Sequence, residues 1–280
     1  MPPVPPLDTT TDSAFVGEHG RPDQASGQAG EPTSGGQQVE PDGPTGRALR
    51  IELCATMAAI HQRGWCDGTG GNFSCVLKRE PLRLLMAPSG VDKGTVNTQD
   101  LIEVDGDGVV QSGSGRASAE TLLHLTIVRE TGAGAVLHTH SQAGTLLSQW
   151  SWEQQHGPTT DSRAINADGE GVAHLELRNL EMLKGLAGIT THRCVVRIPV
   201  LANDQDLGRL SRRAAPHLGQ APKGVLIAGH GLYAWGQELV EARRHLEILE
   251  FLLEQRWRQL LLEALLSQDR GAVQATRAEQ

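Results

Sequence analysis

Apolar positions along this chain change period several times, and each change marks an element. In "GRALRIELCATMAAIHQRG", Leu49, Leu53, Met57 and Ile60 recur at helical spacing, and Gly64 ends the run. "NFSCVLKR" and "LRLLMAP" are short strand patterns separated by a turn at Glu80-Pro81. "DLIEVDGDGVVQSG" predicts two strands around an Asp105-Gly106-Asp107-Gly108 hairpin. A helix runs through "SAETLLHLTIVRETG", opened by Ser118 and closed by Gly132; the strand "GAVLHTHS" follows, then a helix over 142–150. Residues 151–176 have no readable period and are expected to form a loop or lid. "LRNLEMLKGLAG" predicts a short helix, and "VVRIPVLAN" and "KGVLIAGHG" predict strands on either side of the helix "DQDLGRLSRRAAPHL". "ELVEARRHLEILEFLLEQRWRQLLLEALLS" closes the pattern as a long amphipathic helix with acids early. Strands mixed with helices and hairpins imply an α/β sandwich on a mixed sheet, not a doubly wound parallel fold.

The pattern fails at both ends. Residues 1–45 hold eight of the 14 prolines and have no apolar periodicity, so they are expected to be a disordered tail. Residues 46–270 are expected to fold as one domain, with 271–280 a flexible C-terminus. The tail lacks the basic start and apolar run of a signal peptide, and its seven acids against one arginine do not suit a transit peptide. Most of the net charge of −8 therefore sits in the tail, and the nearly neutral domain offers no basic patch for nucleic acid. No apolar run approaches the roughly 18 residues that span a membrane. Cys54, Cys66, Cys75 and Cys194 show no CxxC spacing and are expected to be reduced thiols in a cytoplasmic protein.

The strand "GAVLHTHS" ends in chemistry. Side chains alternate along a strand, so His138 and His140 point the same way, about 7 Å apart along the chain. That pair suits a metal ion, and "AGHGLYAWG" offers a third imidazole, His230, bracketed by Gly229 and Gly231 after an apolar strand. Three neutral imidazoles bind zinc and leave a position open for substrate. Nothing selects His156, His174 or His192, and His61 and His245 are expected to be surface or packing residues. His124, one turn after Glu120, is expected to hydrogen-bond on that shared face rather than to bind metal.

Two glycine-rich turns suggest an anion site. "GTGGNFS" places Gly68, Gly70 and Gly71 before Asn72, and "APSGVDKG" supplies Ser89, Gly90 and Lys93. Such turns expose backbone N–H groups, and Ser118 at a helix start can add a donor, so a small phosphorylated ligand is expected. Neither turn matches a nucleotide-binding fingerprint. Glu120, in the first turn of the helix that leads into the histidine strand, and Glu181, in "NLEMLKG", remain alternative candidates for an acid or base.

Taken in order, "GTGGNFS", "APSGVDKG", "SAETLLH", "AVLHTHS" and "GHGLYAWG" resemble the class II aldolase/adducin-like family of zinc enzymes, over residues 47–260. The resemblance implies a layered α/β/α fold on a central mixed, mainly antiparallel sheet, and one Zn2+ per chain held by His138, His140 and His230. It also implies substrate binding by Asn72, Ser89 and Gly90, with Ser118 and Lys93 as further candidates, and a homotetramer acting on a phosphorylated sugar. "LEMLKG", "ANDQDL" and "RHLEILEFL" are most similar to the members that dehydrate 5-methylthioribulose 1-phosphate in methionine salvage, where the glutamate matching Glu181 is the catalytic acid/base. In the family's aldolases and epimerases, which act on fuculose- or ribulose-type phosphates, a glutamate matching Glu120 has that role. Animal dehydratases of the family have a cysteine at the position of Glu120, so a substrate-binding cysteine does not carry over.

Overall fold

A computed structural model describes residues 43–157 and 171–278. Most of the tail assigned to 1–45, and the middle of the loop or lid assigned to 151–176, lie outside the described residues.

Among the described residues, nine strands form one sheet. In chain order they are β1 (Asn72–Lys78), β2 (Arg83–Met86), β3 (Ile102–Asp105), β4 (Val110–Ser112), β5 (Ala135–Thr139), β6 (Val172–Arg178), β7 (Val195–Leu201), β8 (Gly224–Ile227) and β9 (Gly231–Gly236). Their spatial order is β4-β3-β2-β1-β5-β9-β8-β7-β6, which makes β5 the middle strand. Every neighbouring pair is antiparallel except β7 and β8. That one parallel step requires a crossover, and the helix between these strands supplies it.

The helices are α1 (Pro44–Gln62), α2 (Thr121–Thr131), α3 (Gln142–His156), α4 (Leu207–Leu218) and α5 (Leu239–Ala278), with a 3-10 turn at Glu181–Gly185. The period-two alternation of the strands sorts them into two layers. Phe73, Cys75 and Leu77 of β1, Ala135 and Leu137 of β5, and Leu232 and Ala234 of β9 pack with α1, α3 and α5. Val136 of β5 and Tyr233 and Trp235 of β9 face the other way, against Leu123 and Ile127 of α2 and Leu210 and Ala214 of α4. The result is the layered α/β/α arrangement around a mixed, mainly antiparallel sheet. Burying a Leu, Ile or Phe side chain contributes about 1.5–3 kcal/mol, so both sheet faces are strongly held.

Several element bounds differ from expectation. α1 starts at Pro44, inside the expected tail, because proline's fixed φ suits the first turn of a helix. α3 continues past Trp150 to His156, where Trp152 is buried and stacks on His156 at 4.0 Å. β6 begins at Val172, so both ends of the supposed loop at 151–176 are regular structure. α2 begins at Thr121, three residues after the expected opening; Ser118 and Glu120 form the turn before it. α5 runs on to Ala278, through most of the expected flexible end.

Candidate metal centre

The site is built at the C-terminal end of β5. Asn72 stands opposite His138 in the β1–β5 register, and Tyr233 stands opposite it in the β5–β9 register. His138 and His140 therefore share the face of Val136 and Tyr233, while Thr139 points into the other layer. His230 arrives in the turn between β8 and β9. α3 holds that turn: Thr145 Oγ1 donates to the His230 carbonyl at 3.2 Å, and the Gly229 N–H donates to Ser148 Oγ at 3.1 Å. A side chain at Gly231 would lie 2.0 Å from the Thr139 carbonyl oxygen, so glycine lets this turn close on β5. Gly71, at φ +75°, is needed for the same reason, since its Cβ would meet the His138 carbonyl at 2.7 Å.

The structure brings the three predicted imidazoles together. Nε2 of His138 lies 2.8 Å from Nε2 of His140 and 3.3 Å from Nε2 of His230. Nδ1 of His138 donates to the Leu232 carbonyl at 2.9 Å, which leaves the lone pair on Nε2 facing the centre. Tyr233 stacks flat on this ring, with centroids 3.8 Å apart, and fixes its plane.

Glu120 completes the cluster. Its Oε1 lies 2.8 Å from His230 Nε2 and 3.6 Å from His138 Nε2, while its Oε2 accepts a hydrogen bond from the Asn72 amide. One ligand atom from each of Glu120, His138, His140 and His230 lies within 4.8 Å of every other. The open fourth position expected beside three imidazoles is thus shared by a carboxylate.

The electrostatics fit a cation. Burial lowers the pKa of His138, against the opposing pull of Glu120, and burial with the neighbouring His138 and His230 takes His140 down to about 3. Neutral rings have free lone pairs, and lone pairs this close repel unless a cation lies between them. Burial alone would raise the Glu120 pKa, but hydrogen bonds and charge from His138 and His230 hold it well below the usual carboxylate range. Three nitrogen donors and one carboxylate form a donor set for a divalent metal of the first transition row.

Beside the cluster is a cleft of 540 Å³, lined by Glu120, His140 and His230 and by Thr145, Asn203 and Gln205. Sequence reasoning missed the last three; "ANDQDL" was the available signal for Asn203 and Gln205. Of the expected anion-binding residues, Ser89 is tied to the segment before α2 by its N–H bond to the Arg116 carbonyl at 2.9 Å. Gly90 is exposed beside it at φ +80°. Ser118 Oγ accepts from the Glu120 N–H at 3.3 Å. Lys93 behaves differently: its amine is buried and donates to the carbonyls of Thr69 at 3.0 Å and Val91 at 2.9 Å, clasping the two glycine turns together.

Glu181 is not in the cluster. It starts the 3-10 turn with its side chain 68% exposed, paired with Lys184 and 3.6 Å from His192. His124 is buried and hydrogen-bonded, but its Nδ1 meets Ser74 Oγ at 2.8 Å rather than Glu120. His245 is a packing residue, buried with Nδ1 donating to the Trp235 carbonyl at 2.8 Å. The four cysteines are unpaired, and burial pushes the Cys66 thiol up to about 11, so its thiolate is disfavoured. Among the described residues no helix is long and apolar enough to cross a membrane.

Comparison with known proteins agrees with this geometry. Residues 51–257 match the family described as "Class II Aldolase and Adducin N-terminal domain". The chain is similar to the methylthioribulose-1-phosphate dehydratase of Serratia proteamaculans, at 42% identity covering 76% of this chain and 97% of that one. Similarity to the dehydratase of the same name from Gluconobacter oxydans is 38%, covering 78% and 94%. Among solved structures, an L-fuculose-1-phosphate aldolase from Thermus thermophilus superposes with a TM-score of 0.58 at 24% identity, covering 78% of this chain and 98% of that one. The sheet order, the histidine cluster and these matches lead to one conclusion: the chain belongs to the class II aldolase and adducin N-terminal domain family.

Proposed function

We propose that this chain carries out the zinc-dependent dehydration of 5-methylthioribulose 1-phosphate to 5-methylthio-2,3-diketopentyl 1-phosphate, a step of methionine salvage. The observation that carries this reading is the cluster of three imidazoles and a carboxylate beside a cleft. It occurs in a chain 42% identical to a relative named for that substrate.

His138, His140 and His230 would hold the metal through their Nε2 atoms. When bound, zinc supplies Lewis acidity to the carbonyl and hydroxyl oxygens of the ketose. The hydroxyls of Ser89 and Ser118 and the backbone N–H of Gly90 would donate to the phosphate and so fix the reacting carbons. Lys93 supports Ser89 and Gly90 indirectly, by tying the turn that carries them to the turn at Thr69. Glu120, ionised and oriented by the Asn72 amide, takes the proton from C3. The C3–H electron pair forms the C3–C4 double bond as the C4 hydroxyl leaves. That hydroxyl needs a proton to depart as water, and protonated Glu120 returns it. The remaining C3 enol ketonises to the diketone. Glu181 is the rival acid, and mutation separates the two.

A second reading keeps the site and changes the reaction to aldol cleavage or epimerisation of a sugar phosphate, with Glu120 as acid/base. The position of Glu120 inside the cluster favours it. Incubating the purified protein with methylthioribulose 1-phosphate, and separately with fuculose and ribulose phosphates, decides between them. Water loss from the first with no cleavage of the others is expected; carbon–carbon cleavage products would overturn the dehydratase assignment. The proposal includes a cytoplasmic homotetramer, checked by light scattering of the purified protein.

A further inference from the structure

The alternation of β5 that sends His138 and His140 to one face sends Thr139 to the other, where it is fully buried. Its hydroxyl donates to Oε1 of Glu250 on α5. Glu250 is itself only 2% exposed. On the other side of His140, the Ser141 hydroxyl caps α3 by accepting the Gly144 N–H at 3.0 Å. Oε2 of Glu250 accepts no bond in full hydrogen-bond geometry. One buried carboxylate thus holds, through Thr139, the residue next to a candidate metal ligand.

Such a group needs an explanation. Burying a carboxylate is costly unless hydrogen bonds offset the lost hydration, and an apolar side chain would fill the same place in α5 without that cost. The segment it grips is the bend where β5 ends and α3 begins. His140 sits at this bend, with its N–H on the Trp65 carbonyl at 2.7 Å. The direction of its ring depends on the backbone at residues 139–141, which the Trp65 carbonyl holds at His140 and the Thr139–Glu250 bond holds at its neighbour.

We propose that Glu250 is a positioning residue for the metal centre: through Thr139 it holds the strand-to-helix bend that aims His140 at the other ligands. The inference rests on the reading of His138, His140 and His230 as ligands. It makes metal affinity, rather than stability alone, the property that Glu250 controls. Substitution of groups that orient metal ligands typically weakens binding by about ten- to a hundredfold.

The test is a titration of the full chain, stripped by chelator, with Co2+, whose visible spectrum reports both occupancy and ligand geometry. Glu250→Leu is expected to weaken Co2+ binding at least tenfold and to change the spectrum. Glu250→Gln keeps an oxygen that can accept from Thr139, and it is expected to bind close to wild type. Thr139→Val, nearly isosteric, removes the same link without touching α5; it is expected to show the loss even if the Glu250→Leu chain does not fold. The double variant Glu250→Gln with Thr139→Val is expected to be no worse than Thr139→Val alone. Thermal unfolding of the metal-free variants separates lost packing from lost ligand geometry. Wild-type Co2+ affinity and spectrum in Thr139→Val, or in a folded Glu250→Leu, would overturn the proposal. A wild-type chain that binds no Co2+ would instead overturn the ligand assignment beneath it.

Discussion

Oε1 of Glu120 lies 2.8 Å from Nε2 of His230, and the same carboxylate is tied by its other oxygen to the amide of Asn72. This pairing brings an acid into the imidazole cluster from a different part of the chain. Replacing Glu120 by Gln preserves size and leaves an acceptor for Asn72, so the fold is expected to stand while turnover of methylthioribulose phosphate falls by about a hundredfold or more. Glu181→Gln, at an exposed position, is the comparison. A Glu120→Gln enzyme of near-normal kcat beside an inactive Glu181→Gln enzyme would transfer the acid/base role to Glu181.

His138 is fully buried, stacked on Tyr233 and fixed through Nδ1. His138→Ala is expected to lose both bound metal and activity, with metal content after gentle purification falling from about one equivalent to a trace. Elemental analysis provides the measurement. A fully active His138→Ala protein would refute the site.

The glycines around His230 should not be equivalent. A Cβ at Gly231 would lie 2.0 Å from the Thr139 carbonyl oxygen and 3.3 Å from His138 Cε1, so Gly231→Ala must push β9 away from β5. A cost of about 1–3 kcal/mol or more is expected, with loss of metal. Gly229→Ala meets only the end of the Gln149 side chain, at 2.6 Å, and bears the milder strain of φ +64°. Urea melts and metal analysis of both variants should rank Gly231 as the more sensitive.

Burial pushes the Glu250 carboxyl up to about 7, against the pull of the Ser141 and Thr139 hydroxyls and with a contribution from Glu254. Between its ordinary value of 4.5 and about 7, the native chain therefore holds this proton more often than the unfolded chain does. Its contribution to stability is full below that window and is lost as pH rises through it, with a slope of up to about 1.4 kcal/mol per pH unit. His124, His138 and His140 act in the opposite sense: their lowered values stabilise the fold above their ordinary range and cost stability on acidification. The difference in unfolding free energy between wild type and Glu250→Gln isolates the glutamate. It should fall across the window; a flat difference would mean that Glu250 is already ionised at acid pH.

The three clustered imidazoles were legible because their signal is local. His138 and His140 follow from period-two alternation, and His230 from two flanking glycines at a strand end. The mixed sheet followed from hairpins interleaved with helices. What escaped depends on partners distant in sequence. Glu250 lies among the acids of an amphipathic helix and looks solvated, yet its partner Thr139 is 111 residues away. Lys93 looked like a phosphate ligand because lysine beside a glycine turn often is one, but its amine is buried and two of its three N–H donors go to backbone carbonyls. α3 outran its expected end because "SWEQQH" offers a single large apolar anchor, Trp152, too little to register as a period.

β5 is fifth among nine strands, with β1 on one side and β9 on the other. A reaction centre at an edge could loosen by fraying; one seated on the middle strand cannot come apart until most of the ladder does. Amides along such a strand exchange with solvent only through near-global opening. Catalytic competence and native structure should therefore decay on the same clock, which leaves the surrounding turns as the part of the molecule where activity can be tuned independently.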